Sequence, residues 1–474
     1  MKFGELYENC GKFADLDITG LTCDSRSVVA GGAFVCITGA AQDGHRYAAD
    51  AVAKGAAVIV CERDLGLENQ LIVADTKAVF GQMCAAWFGH PADQLKIIGV
   101  TGTNGKTSVS YMLKAIIEAA GHKVGLIGTI QNMIGDVCIP TVNTTPGVYE
   151  LNALFRQMVD AGCTYAVMEV SSHALDQQRV CGIHFAAALF TNLTQDHLDY
   201  HLTMENYLLA KKKLFSMCDL AVINMDDAAG PRMVAGEACR VVSYSAKQPT
   251  ADYFARNITL RPDGVNFEIV SGGIIGRIAL QTAGFFSVYN ATCAAACATA
   301  LGFSVDAVCR ALSSLSGVKG RAEIVPCDRD FTLVIDYAHT PDGLENILKT
   351  FAELPGARLV TLFGCGGDRD RTKRAQMGAI AAKYSDFVIV TSDNPRTEAP
   401  GDIIADILPG IKDSGTEYVV IEQRVEAIQY AVKNARTGDI VVFAGKGHET
   451  YQIIGTEKIH LDEREVIAEA LAEL

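Results

Sequence analysis

Several features are scarce or missing in this 474-residue chain, and each absence excludes a class of protein. No eighteen apolar residues run together, so no membrane insertion is expected. No Cys-x-x-Cys pair occurs among the fifteen cysteines, an odd number scattered through apolar stretches such as Ala291-Thr-Cys-Ala-Ala-Ala-Cys297. They read as reduced core thiols in a reducing compartment, not as a disulfide framework. Basic residues are in deficit, 41 against 55 acidic, and a net charge of −14 argues against a broad surface for nucleic acid while leaving room for a local anion site. Low-complexity segments and short solenoid repeats are absent too. The opening Met1-Lys-Phe-Gly-Glu-Leu-Tyr-Glu8 has acids where a secretory signal has an apolar stretch, so a cytoplasmic location is expected.

Hydrophobic residues make up 49% of the chain and charged residues 20%, which predicts a folded protein too long for one core. Up to residue 95, short apolar runs alternate with polar turns, as in a small α/β domain. From Lys96 the pattern becomes strand, glycine loop, long helix. Ile97, Ile98 and Val100 lead into the loop, and Val109, Met112, Leu113, Ile116, Ile117 and Ala120 follow at helical spacing up to Gly121.

Later apolar runs each end in a polar or glycine-rich tail, at residues 166–173, 187–193, 333–339, 360–368, 387–396 and 440–448. Ligands of open parallel sheets sit beyond the carboxyl ends of strands, so chemistry is expected in these tails. Two glycines in Gly317-Val-Lys-Gly-Arg-Ala-Glu323 mark a linker. The reading is an α/β protein of three domains: 1–95, 96–319 and 320–474.

The segment from Gly99 to Thr107 misses the general phosphate-loop spacing by one, with five residues between Gly99 and Gly105. Taken from Thr101 it is Thr-Gly-Thr-Asn-Gly-Lys-Thr-Ser. Its glycines let backbone N–H groups turn toward a phosphate, Lys106 brings a charge to the β- and γ-phosphates, and Thr107 offers a hydroxyl to Mg²⁺. The following helix adds its positive end. A plain glycine turn is the alternative, but strand, Gly-Lys-Thr and amphipathic helix in succession favour a nucleotide.

Glu169 ends an apolar strand, where a carboxylate is costly unless paired or metal-bound. His197, taken alone, is an ordinary loop or core histidine, and His197-x-x-x-His201 lacks the glutamate of a zinc motif. Lys211 to Lys213, taken alone, are a solvated helix face.

The string Thr101-Gly-Thr-Asn-Gly-Lys-Thr-Ser108 resembles the ATP loop of the Mur ligases and folylpolyglutamate synthetases. Further strings are similar to the diaminopimelate-adding Mur ligases: Glu169-Val-Ser-Ser-His173, Thr191-Asn-Leu-Thr-Gln-Asp-His-Leu-Asp-Tyr-His201, Asp336-Tyr-Ala-His-Thr-Pro-Asp342 and Asp393-Asn-Pro-Arg396. The resemblance runs from Asp24-Ser-Arg26 to Gly445-Lys-Gly-His-Glu449.

It implies a UDP-binding N-terminal domain, a central parallel-sheet ATPase and a C-terminal Rossmann-like domain. The implied enzyme is a monomeric ligase that joins the D-glutamate γ-carboxylate of UDP-MurNAc-L-Ala-D-Glu to meso-diaminopimelate through an acyl phosphate. That reaction serves peptidoglycan precursor synthesis, and with it cell wall biogenesis, cell shape and division.

The resemblance also assigns residues. Lys106, Glu169, His197 and Lys211 would be catalytic. ATP would meet Gly102, Thr103, Asn104, Gly105, Lys106, Thr107, Ser108, Asn290, Arg321, Asp336 and His339. Thr107 and Glu169 would hold one Mg²⁺, and His197 with a carbamylated Lys211 (N6-carboxylysine) a second. Asn143, Thr144, Thr145, Ser171, Gln177 and Arg179 would hold the muramoyl dipeptide, with Ser25 and the turn 38–43 at the uridine end. There Gly39-Ala-Ala-Gln-Asp-Gly44 lacks the His and Gln of some relatives, which leaves the uracil contacts open.

Arg369, Asp393, Asn394, Pro395, Arg396, Gly445 and Glu449 would receive the amino acid. Arg396 would grip its distal carboxylate and repel the ε-ammonium of lysine; Glu449 would meet the distal amino group. An L-lysine-adding ligase, a folylpolyglutamate synthetase-like ligase and a nucleotide-dependent switch are the competing readings.

Overall fold

The structure, a computed structural model, describes residues 1–39, 42–261, 263–354 and 356–474. The short apolar runs of the N-terminal segment form four parallel strands in chain order, Leu21–Thr22, Ala33–Val35, Val58–Cys61 and Gln70–Ile72. Helix Thr76–Trp87 covers one face with Val79, Phe80 and Met83; the Asp75 carboxylate caps it by accepting from the N–H groups of Lys77 and Ala78.

Six parallel strands make the heart of the central sheet, in the order Arg240–Ser245, Leu220–Asn224, Ala187–Phe190, Lys96–Thr101, Tyr165–Glu169, Val124–Ile127. Lys96–Thr101 lies in the interior of this sheet, which explains why its residues after Lys96 are all buried. Helix Lys106–Ala119 and the Ala/Cys-rich helix Phe285–Ala300 pack on one face, and Val148–Asp160 on the other. Small side chains let Phe285–Ala300 lie close against its neighbour, so Asn290 reaches the phosphate loop.

The third sheet runs Glu323–Val325, Thr332–Asp336, Ile440–Ala444, Leu359–Phe363, Phe387–Val390, Glu417–Val420, parallel except for its first strand. The apolar runs with polar tails are therefore strands that open onto loops at one sheet edge.

Two features depart from the sequence expectation. The central sheet is extended by an antiparallel meander, Tyr253–Arg261, Gly264–Ser271 and Ile274–Leu280, and a hairpin Tyr451–Ile454/Glu457–His460 follows the last parallel strand. The thiols are free as expected, but not all are core. Ten are buried, Cys23 and Cys138 are exposed, and Cys181, Cys239 and Cys327 are intermediate. Among the described residues no helix is long and apolar enough to cross a membrane.

Candidate active site

The phosphate loop leaves the carboxyl end of Lys96–Thr101 with Gly102 at φ 147° and Gly105 at φ 87°. Gly105 takes a backbone shape that strains any other residue, and a Cβ there would also push the Asn290 Oδ1 aside. The loop is strapped from the neighbouring strand's tail: Thr103 N–H donates to Asn192 O at 2.9 Å, Asn104 N–H to Asn192 Oδ1 at 2.8 Å, and Thr191 Oγ1 to Asn104 O at 2.6 Å. Thr191 and Asn192 were not singled out in the sequence, though they open a quoted motif.

Two lysine ammoniums converge on one oxygen. Lys106 Nζ donates to Gly102 O at 2.9 Å and Lys211 Nζ to the same atom at 2.8 Å. Lys211 is buried, with its Nζ 4.3 Å from the centre of the Tyr207 ring, whereas Lys212 and Lys213 face outward toward Glu237 and Asp176. The reading of a solvated face therefore fails for Lys211 alone. Burial, then the charge of Lys106, holds its amine well below the usual lysine range; burial also pushes Lys106 down.

Glu169 is buried and fully engaged. Its carboxylate accepts from Thr107 Oγ1 at 3.1 Å, Thr129 Oγ1 at 2.8 Å and Thr129 N–H at 2.9 Å. The C-terminal domain reaches the same hydroxyl, since Arg321 Nη2 donates to Thr107 Oγ1 at 2.9 Å. His197 stands apart from this group at φ 55°, its ring edge-on to His173 at 4.8 Å and its Nε2 3.3 Å from Asp196. Burial keeps its pKa well below that of a free imidazole, so the ring is a neutral donor at neutral pH. Among the described residues no three His, Cys, Asp or Glu side chains form a metal cluster. The four expected ligands thus lie as a Thr107–Glu169 pair and a His197–Lys211 group near Tyr207.

A cavity of ≈ 490 Å³ opens beside the loop, between the central and C-terminal domains, lined by Asn104, Gly105, Ser108, Asn290, Arg321, Asp336 and His339. Tyr289, Asp226, Asp342 and Asn346, which the sequence did not single out, line it as well. Asp336, expected at the nucleotide, lines this cavity, and its oxygens accept from the N–H groups of Ala322 at 2.6 Å and Ala338 at 2.8 Å. Burial pushes its pKa up. Asp342 accepts from Asn104 Nδ2 at 2.5 Å, a second contact between domains.

A second cavity, of ≈ 420 Å³, lies between the N-terminal and central domains and is lined by Thr38, Gly39, Lys77, Gln177, Arg179 and Tyr200 among others. Arg179 donates to Thr145 O at 2.9 Å and to Gln177 Oε1 at 2.7 Å, and Thr145 Oγ1 accepts from Ser171 N–H at 3.0 Å. Thr144 bonds Thr129 beside Glu169, so this network leads to the phosphate loop, while Asn143 is exposed. Ser25 does not line the cavity; its carbonyl accepts from Lys54. Of the turn 38–43, Ala40 and Ala41 lie outside the described residues, and Asp43 is taken by Arg63 and His45.

The third group gathers at the tails of the C-terminal sheet. Asn394 Nδ2 donates to Glu449 Oε2 at 2.9 Å, and buried Lys446 bonds Asn394 Oδ1 and Glu449 Oε2. Lys446 was not assigned from the sequence, although it lies inside the quoted Gly-Lys-Gly-His-Glu string. Arg396, at φ 51°, donates to Gly367 O at 2.8 Å. Burial and the charge of neighbouring Arg369 push its pKa down, as befits two guanidiniums placed for an anion. Pro395 keeps the turn between Asn394 and Arg396, and Gly445 sits where a Cβ would press on Asp393 Oδ2. Lys446 and Arg424 hold the Asp393 carboxyl below its usual value against its burial.

Three family models match in succession along the chain: "Mur ligase family, catalytic domain" over residues 17–106, "Mur ligase middle domain" over 100–298, and "Mur ligase, glutamate ligase domain" over 320–447. The UDP-N-acetylmuramoyl-L-alanyl-D-glutamate–2,6-diaminopimelate ligase of Caldanaerobacter subterraneus subsp. tengcongensis is 47% identical over 463 residues, 97% of this chain and 96% of that protein. The correspondingly named ligase 1 of Clostridium acetobutylicum is 46% identical over 98% of this chain and 97% of its own length. A solved structure of a UDP-N-acetylmuramoyl-L-alanyl-D-glutamate–2,6-diaminopimelate ligase superposes with a TM-score of 0.74 at 35% identity, covering 100% of this chain and 99% of that one.

Proposed function

From the premise that this chain belongs to the Mur ligase family, we propose that it is an ATP-dependent ligase joining the D-glutamate γ-carboxylate of UDP-MurNAc-L-Ala-D-Glu to meso-diaminopimelate in peptidoglycan precursor synthesis. A free carboxylate is a poor acyl donor. Transfer of the γ-phosphoryl group of ATP to it gives an acyl phosphate and ADP. The acceptor amine then attacks the acyl carbon, phosphate leaves, and the nitrogen loses a proton to form the amide.

Such a reaction calls for positioning and charge neutralisation more than for a protein nucleophile. The loop N–H groups, Lys106 and Arg321, which bonds Thr107, would surround the γ-phosphate, while Arg179 and the Thr145–Ser171 network would direct the sugar-peptide toward it. Thr107 with Glu169 would offer oxygen donors suited to Mg²⁺, and Lys211 as a carbamate would add oxygen donors for a second ion beside His197. Bound there, Mg²⁺ would supply the charge that lets two anions meet. Carbamylation needs a neutral amine, and burial together with the charge of Lys106 disfavours the charged form of Lys211; a carbamate there would be attracted to Lys106.

The observation that carries the choice of acceptor is that Arg396, with Arg369 beside it, shares one loop cluster with Asn394 and Glu449, which are hydrogen-bonded to each other. That arrangement complements a second, distal zwitterionic end, which meso-diaminopimelate has and lysine, with only an ammonium there, lacks. We assign the domains as 1–95, 96–319 and 320–474, each built on one sheet. The enzyme is read as a cytoplasmic monomer, because one chain builds both cavities and the acceptor loops and its thiols are free. With ATP, Mg²⁺ and the muramoyl dipeptide, the purified enzyme is expected to use meso-diaminopimelate at least about a hundredfold better than L-lysine in kcat/KM. Equal use of the two amino acids would refute the acceptor assignment, and phosphate release without any amine would refute the ligase reading.

A further inference from the structure

The strands whose tails carry the proposed acceptor residues are not neighbours. Phe387–Val390 leads into Asp393 to Arg396 and Ile440–Ala444 into Gly445 to Glu449, yet Leu359–Phe363 lies between them in the sheet. Two strand spacings put their ends about 9–10 Å apart, with no ladder hydrogen bond to fix one against the other.

One buried side chain spans that gap. Arg424, at the start of helix Arg424–Lys433, donates from Nη1 to Ser392 O at 3.2 Å and from Nη2 to Ala444 O at 2.9 Å. Ser392 and Ala444 are the residues just before Asp393 and Gly445. The same guanidinium donates from Nε to Glu463 Oε1 at 2.9 Å, and both side chains of the pair are fully buried. Glu463 Oε2 has no hydrogen-bond partner among the described residues.

Stability alone is a weak reason for such a pair. Desolvating two charges commonly costs as much as their attraction returns, and apolar replacements of similar volume are often neutral or stabilising. What apolar side chains cannot do is hold two carbonyls from separate loops at a fixed separation. The planar, five-donor guanidinium can, and a lysine, with its single compact charge, cannot bridge both carbonyls and the carboxylate with the same geometry.

We propose that Arg424, held by Glu463, is the positioning residue of the amino-acid acceptor site: it clamps the two acceptor loops at the spacing at which Asp393 to Arg396 and Glu449 grip one substrate molecule. The proposal rests on the ligase reading above. Apart from Glu463, Arg424 bonds only the backbone carbonyls that lead into the two acceptor loops, so its effect is on the acceptor, not on ATP or the nucleotide sugar.

The test compares wild type, Arg424→Lys and the double variant Arg424→Met/Glu463→Leu in steady-state kinetics with each of the three substrates varied, together with thermal melting. Both variants are expected to raise the acceptor KM about tenfold or more, on the scale of a slightly misplaced contact, while the KM values for ATP and the muramoyl dipeptide stay within about twofold. The preference for meso-diaminopimelate over L-lysine narrows in parallel. The double variant is expected to melt within a few degrees of wild type, so that lost acceptor binding is separated from lost folding; should it melt early, Arg424→Lys decides. An unchanged acceptor KM in Arg424→Lys, or three KM values rising together, overturns the positioning role. Wild-type turnover that needs no amino acid defeats the ligase reading instead.

Discussion

At the level of single residues, Lys211 shows how far sequence and structure each reach. Its neighbours Lys212 and Lys213 are chemically identical to it, and no spacing rule separates the three; only burial and the shared Gly102 carbonyl do. Replacing Lys211 by Ala removes the buried amine on which a carbamate would form. Turnover of Lys211→Ala is expected to be largely lost, with partial recovery when a short carboxylate such as acetate is added, and a variant with unchanged activity would remove the carbamate from the mechanism. Glu169 was legible because a carboxylate ending an apolar strand calls for a partner, and it has Thr107 and Thr129. Lys446, Arg424 and Glu463 were not, because key partners lie far off in the chain: Arg424 meets the Ser392 and Ala444 carbonyls and the Glu463 carboxylate, and Lys446 reaches Asn394. Asp336 lines the cavity while its oxygens also bracket the Ala322 and Ala338 N–H groups; a motif gives the residue type at a position but not the atoms it meets.

Among the elements, the phosphate loop is the one whose conformation follows most directly from its residues. Gly105 at φ 87° takes a backbone shape that costs an L-residue about 1–3 kcal/mol, and Asn290 crowds the space a side chain would need. Gly105→Ala is therefore expected to weaken ATP binding by about 10- to 100-fold, read by calorimetry with a non-hydrolysable analogue, while affinity for the muramoyl dipeptide stays unchanged. The parallel strands were readable for a related reason: buried on both faces, they appear as short apolar runs, and their polar tails mark the site edge. The meander from Tyr253 to Leu280 has one face toward solvent, so its apolar residues alternate and form no continuous run. The hairpin at Tyr451 to His460 is four residues a side and mostly exposed, with too little burial to leave a signature, although its Ile453 N–H fixes Asn394.

For the molecule as a whole, the candidate site belongs to no single sheet. Asn104 meets Asp342 and Thr107 meets Arg321, so the phosphate loop of the central domain is completed by side chains of the domain that carries the amino-acid loops. We expect an ATP analogue to tighten amino-acid binding by several-fold to about a hundredfold, and Arg321→Ala to reduce that factor toward one, in titrations with and without the nucleotide. An unchanged factor in the variant would show that the contact transmits nothing between the domains. The Arg321–Thr107 hydrogen bond also has a pharmacological corollary. Coupling of equilibrium affinities is reciprocal, so a compound in the amino-acid pocket whose own binding the nucleotide tightens must strengthen the hold on nucleotide by the same factor. Such an inhibitor would gain potency as cellular ATP rises, where an ATP mimic would lose it.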